Sequence, residues 1–160
     1  MKGQYYAKDE AAMLVFGNML YTAMAHEGVV FLLGDLGLGK TTLSRGVIRA
    51  SGHQGAVKSP TYTLVEAYED GESFIYHFDL YRLSDPEELE YLGIRDYFSK
   101  GMLSLIEWPE KGVGALPSAD LEIALSIKKM GRLLEFRSMS KKGEQAVAHL
   151  NKLVQAGIER

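Results

Sequence analysis

Eight consecutive residues, Gly34-Asp35-Leu36-Gly37-Leu38-Gly39-Lys40-Thr41, have the types and spacing that hold the phosphates of a nucleotide. They fit the pattern G-x-x-x-x-G-K-[ST] throughout. Gly34, Gly37 and Gly39 let the backbone turn tightly, bringing its N–H groups close to phosphate oxygens. Lys40 is placed to reach the outer phosphates, and the Thr41 hydroxyl to ligate Mg²⁺. The chemistry this predicts is the binding and hydrolysis of a nucleoside triphosphate, which also needs a carboxylate near the metal. Two positions compete for that role: Asp79 closes the apolar run FIYHFD, and Glu107 closes LSLIE. Glu107 is favoured as linked to Mg²⁺, directly or through water, with Asp79 then supporting it or orienting the attacking water. Which acid lies nearer the metal stays open at this level.

Around these residues stand weaker signals. KSPTYT at 58–63 offers Lys58, Ser59, Thr61 and Thr63 in a polar loop. Such a loop either orders around the γ-phosphate or simply leads into a strand. Trp108, the single tryptophan, directly follows Glu107 and is read as covering the site, meeting a partner or packing in the core. His77 sits in an apolar run and reads as a hydrogen-bonded core residue. The other histidines, His26, His53 and His149, are too scattered to be metal ligands.

The elements that must position this chemistry are legible from pattern. VVFLL at 29–33 reads as a strand buried on both faces, and KTTLSRGVIRA at 40–50 as a helix with Leu43, Val47 and Ile48 on one side. Strand, glycine loop and helix start set free N–H groups and the positive end of the helix dipole at the phosphates. Residues 9–25 read as a helix offering Leu14, Phe16, Leu20 and Met24 for burial. Residues 61–69 and 73–80 read as antiparallel strands about the turn Asp70-Gly71. Residues 85–93 open a helix, with Asp85 as cap, Pro86 at the first position and Glu88 completing a capping box; 94–101 continue as helix or turn. A short buried strand follows at 102–108, then a loop from Pro109 past Gly112 and Gly114. A helical segment between 73–80 and 102–108 makes those strands parallel, which puts Asp79 and Glu107 at one edge of the sheet. Residues 121–129 and 132–138 form a strand pair about Gly131, and 143–157 a last helix that buries Ala146, Leu150, Leu153 and Val154. The expected fold is α/β, a P-loop NTPase-like three-layer domain over residues 1–160, with a mixed, partly parallel sheet flanked by helices.

Composition narrows the function classes. Of 160 residues 46% are hydrophobic and 24% charged, ordinary globular values that argue against disorder. A net charge of −3 supplies no basic field for capturing nucleic acid. With no cysteine, disulfides, thiolate zinc sites and thiol catalysis are excluded. No apolar leader or membrane-length stretch is visible, so a cytoplasmic location is expected. A small-molecule kinase needs a basic lid, yet residues 61–100 carry only Arg82, Arg95 and Lys100, none of them paired. A GTPase lacks support, because neither an N-K-x-D base reader nor a D-x-x-G switch is found. A binding module gated by nucleotide occupancy alone and a small-molecule kinase stand as the alternatives to an ATPase.

GDLGLGKTT, SPTYTLVEAY, HFDLYRL and LIEWPEKG, in this order and spacing, resemble the bacterial TsaE (YjeE) family. Its members are small P-loop ATPases required for threonylcarbamoylation of the tRNA adenosine next to the anticodon. The likeness spans residues 10–116, and 117–160 match only in general pattern. It implies that the nucleotide is ATP, that Lys40 binds phosphates, that Thr41 and Glu107 hold Mg²⁺, and that Thr42 contacts the nucleotide. It further implies a switch-like loop from Ser59 to Thr63, including Thr61, and places Asp79 and Trp108 near the active site. Leu38 stands where the family often has Ala, at a position that contributes mainly backbone. Membership also implies partnership with TsaD, which transfers the threonylcarbamoyl group, and with its paralogue TsaB. ATP turnover would reset that complex, and contact with tRNA would be indirect.

Overall fold

A computed structural model describes residues 1–159. The chain runs β1 (Lys2–Ala7), α1 (Glu10–Ala23), β2 (Gly28–Leu33), α2 (Lys40–Ala50), β3 (Val65–Asp70), β4 (Ser73–Asp79), α3 (Glu87–Tyr91), β5 (Met102–Glu107), β6 (Leu121–Lys128), β7 (Gly131–Ser138) and α4 (Lys141–Glu159). Short 3₁₀ turns cover Ile94–Tyr97 and Pro109–Gly112. The seven strands form one mixed sheet in the order β1-β7-β6-β2-β5-β4-β3. Its centre is parallel: β2 pairs with both β5 and β6, and β4 with β5. Antiparallel pairs flank that centre.

The expected parallel crossover between β4 and β5 is present. Its helix is short, because Gly93 takes a left-handed φ of 70° and starts the 3₁₀ turn. Asp85 caps it as expected, its Oδ1 accepting the Glu87 N–H at 3.0 Å. Three details differ from the sequence reading. β3 begins at Val65 rather than Thr61, because residues 61–63 are a turn closed by the Leu64 N–H donating to the Pro60 carbonyl at 2.8 Å. β1 was not expected at all. It is an edge strand paired with β7 from Lys2↔Arg137 to Ala7↔Arg132. On α1 the inward stripe is Met13, Phe16, Gly17, Leu20 and Tyr21, so that Leu14 lies half-buried at its rim.

Helices α1, α2 and α4 cover one face of the sheet, and α3 with the short turns covers part of the other. On the first face, Phe16 and Leu20 of α1, Leu43, Val47 and Ile48 of α2, and Val147 and Leu150 of α4 pack on Val30, Leu32 and Leu103. On the second, Leu89 and Ile94 pack on Tyr76, Phe78 and Ile106. The central strands are therefore buried on both faces, as their apolar runs require.

α1 and α2 cross backbone to backbone. A Cβ on Gly46 would lie 2.6 Å from the Leu14 carbonyl oxygen and 3.1 Å from Gly17 Cα. This contact sets where α2 lies, and with it the glycine loop at its N-terminus. Gly46→Ala is expected to destabilise the fold by about 1–3 kcal/mol through overpacking, outweighing the better helix propensity of alanine. Urea unfolding checks this; a midpoint at or above that of the parent chain would mean that the two helices part freely.

Candidate nucleotide site

The glycine loop joins the C-terminal end of β2 to the N-terminus of α2. Gly39 precedes the helix with φ 105° and ψ 15°, and no side chain caps it. The first N–H groups of α2 are thus left to an anion rather than to a capping oxygen. Gly34 has φ 143°, and a Cβ there would meet the Leu125 carbonyl oxygen at 2.9 Å. Leu38 is half-buried and packs its side chain against the core.

Lys40 is buried, 4% exposed, at the floor of this loop. Its ammonium donates to the carbonyls of Gly34 and, at 3.0 Å, of Asp35. The same group lies 4.4 Å from the centre of the Trp108 ring. Burial pushes its pKa below the usual lysine range, and the nearby charges of Glu107 and Asp79 work against that.

Asp79 and Glu107 are register partners at the ends of β4 and β5, and Leu32 of β2 stands opposite Glu107 on its other side. Three parallel strands therefore end beside the glycine loop. Glu107 is the acid that reaches it: its Oε2 accepts the Thr41 hydroxyl at 3.2 Å. The same oxygen lies 2.5 Å from His77 Nε2. Asp79 is set back. Its Oδ1 accepts the Tyr81 N–H at 3.0 Å, and its Oδ2 accepts the Thr61 hydroxyl at 3.4 Å. Burial raises the Asp79 carboxyl above the usual carboxylate range, against the opposing pull of the Tyr81 N–H.

Leu36, Gly37, Leu38, Gly39, Lys40, Thr41, Thr42, Thr61, Asp79, Glu107 and Trp108 line one cleft of about 310 Å³. Trp108 is half-buried, takes a left-handed φ of 58° and packs on Tyr81 with ring centres 5.0 Å apart. It forms part of the cleft wall and packs against the edge of the core on the second face. Ser59 reaches the cleft through its 2.7 Å hydrogen bond to Thr61. Thr63 does not; its hydroxyl donates to Glu66 at 3.1 Å on the exposed surface.

His77 is the hydrogen-bonded core residue that the sequence predicts, fully buried and paired with Glu107, a partner that nothing in the local sequence names. One part of the site is not legible in the sequence. A second cavity, of about 250 Å³, opens on the other side of the glycine loop between Lys8–Glu10, Met13, Gly37–Gly39, Thr42 and Met130–Arg132. Its walls come from three distant segments, so no local motif announces it.

The donor set at Thr41 and Glu107 fits Mg²⁺, which binds few protein oxygens and completes its shell with phosphates and water. Among the described residues, no cluster of three or more His, Cys, Asp or Glu side chains offers an all-protein metal cage. Nor is any helix among them long and apolar enough to cross a membrane.

A glycine loop between a central parallel strand and an uncapped helix, with carboxylates on the adjacent strand ends, defines a P-loop protein of the layered α/β class. The sequence model of the family described as "Threonylcarbamoyl adenosine biosynthesis protein TsaE" matches residues 7–134. The protein named "tRNA threonylcarbamoyladenosine biosynthesis protein TsaE" in Haemophilus influenzae is 49% identical over 150 residues, covering 89% of this chain and 94% of that one. The protein of the same name in Bacillus subtilis is 36% identical over 137 residues, covering 83% and 84%. The crystal structure of Bacillus subtilis YdiB superposes with a TM-score of 0.79 over 96% of both chains, at 24% identity, a likeness of fold. The chain belongs to the TsaE family.

Proposed function

We propose that this chain is a cytoplasmic, Mg²⁺-dependent ATPase that serves the N6-threonylcarbamoyladenosine modification of tRNA together with TsaB and TsaD. The names of its relatives support the pathway. The observation that carries the ATPase reading is the contact of Thr41 with Glu107 at the mouth of the glycine loop, with Asp79 on the adjoining strand.

In this reading the N–H groups of the loop and the Lys40 ammonium bind the phosphates, and Thr41 and Glu107 hold the metal. Bound Mg²⁺ supplies charge neutralisation on the phosphate oxygens as the terminal bond breaks. Asp79, with the Thr61 hydroxyl beside it, holds the attacking water; its raised proton affinity suits a group that takes a proton from that water. Trp108 shields Lys40 from solvent and keeps the cation aimed into the cleft. The second cavity shares Gly37, Leu38, Gly39 and Thr42 with the phosphate cleft, so it is where the base and ribose would sit. Tyr62 beside the cleft is 80% exposed and Leu36 in its wall 61% exposed, which leaves the mouth open to a protein partner. With a net charge of −3, the chain would reach tRNA through that complex rather than by its own surface.

The test is ATP hydrolysis by the purified chain, alone and with TsaB and TsaD. A rise of about tenfold or more with the partners is expected, since completing an open site supplies missing transition-state contacts. No stimulation, with turnover equal to that of Lys40→Ala, would favour a module gated by nucleotide occupancy alone.

A further inference from the structure

His77 lies within β4, fully buried, two residues before Asp79. A buried imidazole must hydrogen-bond to compensate its lost hydration. One nitrogen does so: Nε2 lies 2.5 Å from Glu107 Oε2, the oxygen that also accepts the Thr41 hydroxyl. The other, Nδ1, is buried and has no hydrogen-bond partner. Together these observations assign the tautomer. An unpaired N–H is rarer and worse in an interior than an unpaired lone pair, so the ring proton belongs on Nε2, where it is donated to the carboxylate.

Register makes the pairing specific. His77 stands opposite Leu105 and Asp79 opposite Glu107, so His77 and Glu107 are diagonal neighbours on one face of the parallel pair. A glutamate has three torsions to fix before its carboxylate; that of Glu107 is buried at the end of its strand, where Oε2 meets both the Thr41 hydroxyl and His77 Nε2. The imidazole has fewer torsions to fix and is fully buried.

Resting on the proposed Mg²⁺–ATP reading, we infer that His77 is a positioning residue: its Nε2–H holds Glu107 Oε2 against Thr41, so that the oxygen pair for the metal is arranged before nucleotide arrives. Partners of this kind, one step removed from a metal, carry about 10–100-fold in metal affinity.

The experiment compares the full chain with His77→Leu, which removes the donor, and His77→Gln, whose amide nitrogen extends about as far as Nε2. Calorimetric titration with an ATP analogue that resists hydrolysis, with and without Mg²⁺, gives the gain in affinity due to the metal. His77→Leu is expected to lose about 10–100-fold of that gain while its metal-free affinity is unchanged. His77→Gln should recover most of it. If His77→Leu keeps the full gain, or loses metal-free and metal-dependent affinity alike, the inference is overturned. Should His77→Leu fail to fold, His77→Gln is compared with His77→Asn, whose amide is too short to reach; equal gains in those two would overturn it as well. A parent chain with no metal-dependent gain at all would overturn the ATPase reading and this inference with it, whereas failure in the variants alone leaves that reading standing.

Discussion

Lys40→Ala is expected to lower ATP turnover by at least about a hundredfold, the scale on which removing one preorganised charge stabiliser acts, and to weaken nucleotide binding. It should do so without loss of fold. The Lys40 ammonium sits on the carbonyls of Gly34 and Asp35 beneath Trp108, and burial holds its pKa below the usual lysine range. Folding thus weakens the hold of this side chain on its proton. Between the lowered pKa in the fold and the ordinary pKa in the unfolded chain, the unfolded state carries more protons, so stability rises with pH there. Below that window the buried charge is a standing penalty to the fold, and alanine removes it. The two freed carbonyls belong to half-buried Gly34 and exposed Asp35, where water can serve them. A Tm unchanged or raised, alongside lost turnover, would locate the defect in the chemistry. Unchanged turnover would refute the assignment of the glycine loop.

The glycine loop was legible because its chemistry is local: strand, turn and helix start are contiguous, and each residue type has one evident use. The acids were legible for a different reason. A helical connection between two buried strands forces them parallel, and parallel strands end at the same edge. Asp79 and Glu107 could therefore be placed side by side without any knowledge of their partners, and they are register neighbours. What sequence could not give is register across strands and contact across long separations. The pairing of His77 with Glu107 depends on a diagonal between β4 and β5, which shifts with any slip of either strand.

Other misreadings have similar causes. β1 alternates exposed Lys2, Gln4 and Tyr6 with less exposed Gly3, Tyr5 and Ala7, a pattern that was available to read. Glycine weakens that strand signal, and the pairing partner lies at the far end of the chain. Gly3 is required by that very pairing, since a Cβ there would lie 2.6 Å from the Phe136 ring. On α1, Met13 and Leu14 are both apolar, so composition leaves the phase of the buried stripe open by one residue; the close crossing at Gly17 and Gly46 decides it. The strands and helix beyond residue 117 were expected in outline, but nothing in their pattern says that β6 inserts beside β2 and so packs Leu125 under Gly34 of the glycine loop.

Glu107→Ala is the second large effect, and it separates the two acids. Glu107 accepts the Thr41 hydroxyl, whereas the oxygens of Asp79 are engaged by the Tyr81 N–H and the Thr61 hydroxyl. Loss of Glu107 should leave nucleotide binding measurable, because the loop N–H groups and Lys40 remain. Mg²⁺-dependent hydrolysis should fall by about a hundredfold or more, since the metal would lose one of the two protein oxygens proposed to hold it. Asp79→Ala should instead keep the response to Mg²⁺ and slow turnover at saturating metal, as expected of a group that holds water. The discriminating measurement is hydrolysis as a function of Mg²⁺ concentration for both variants. A metal-dependence defect in Asp79→Ala with a normal profile in Glu107→Ala would exchange the two roles. It would also mean that the carboxylate nearest Thr41 in the folded chain turns away once nucleotide is bound.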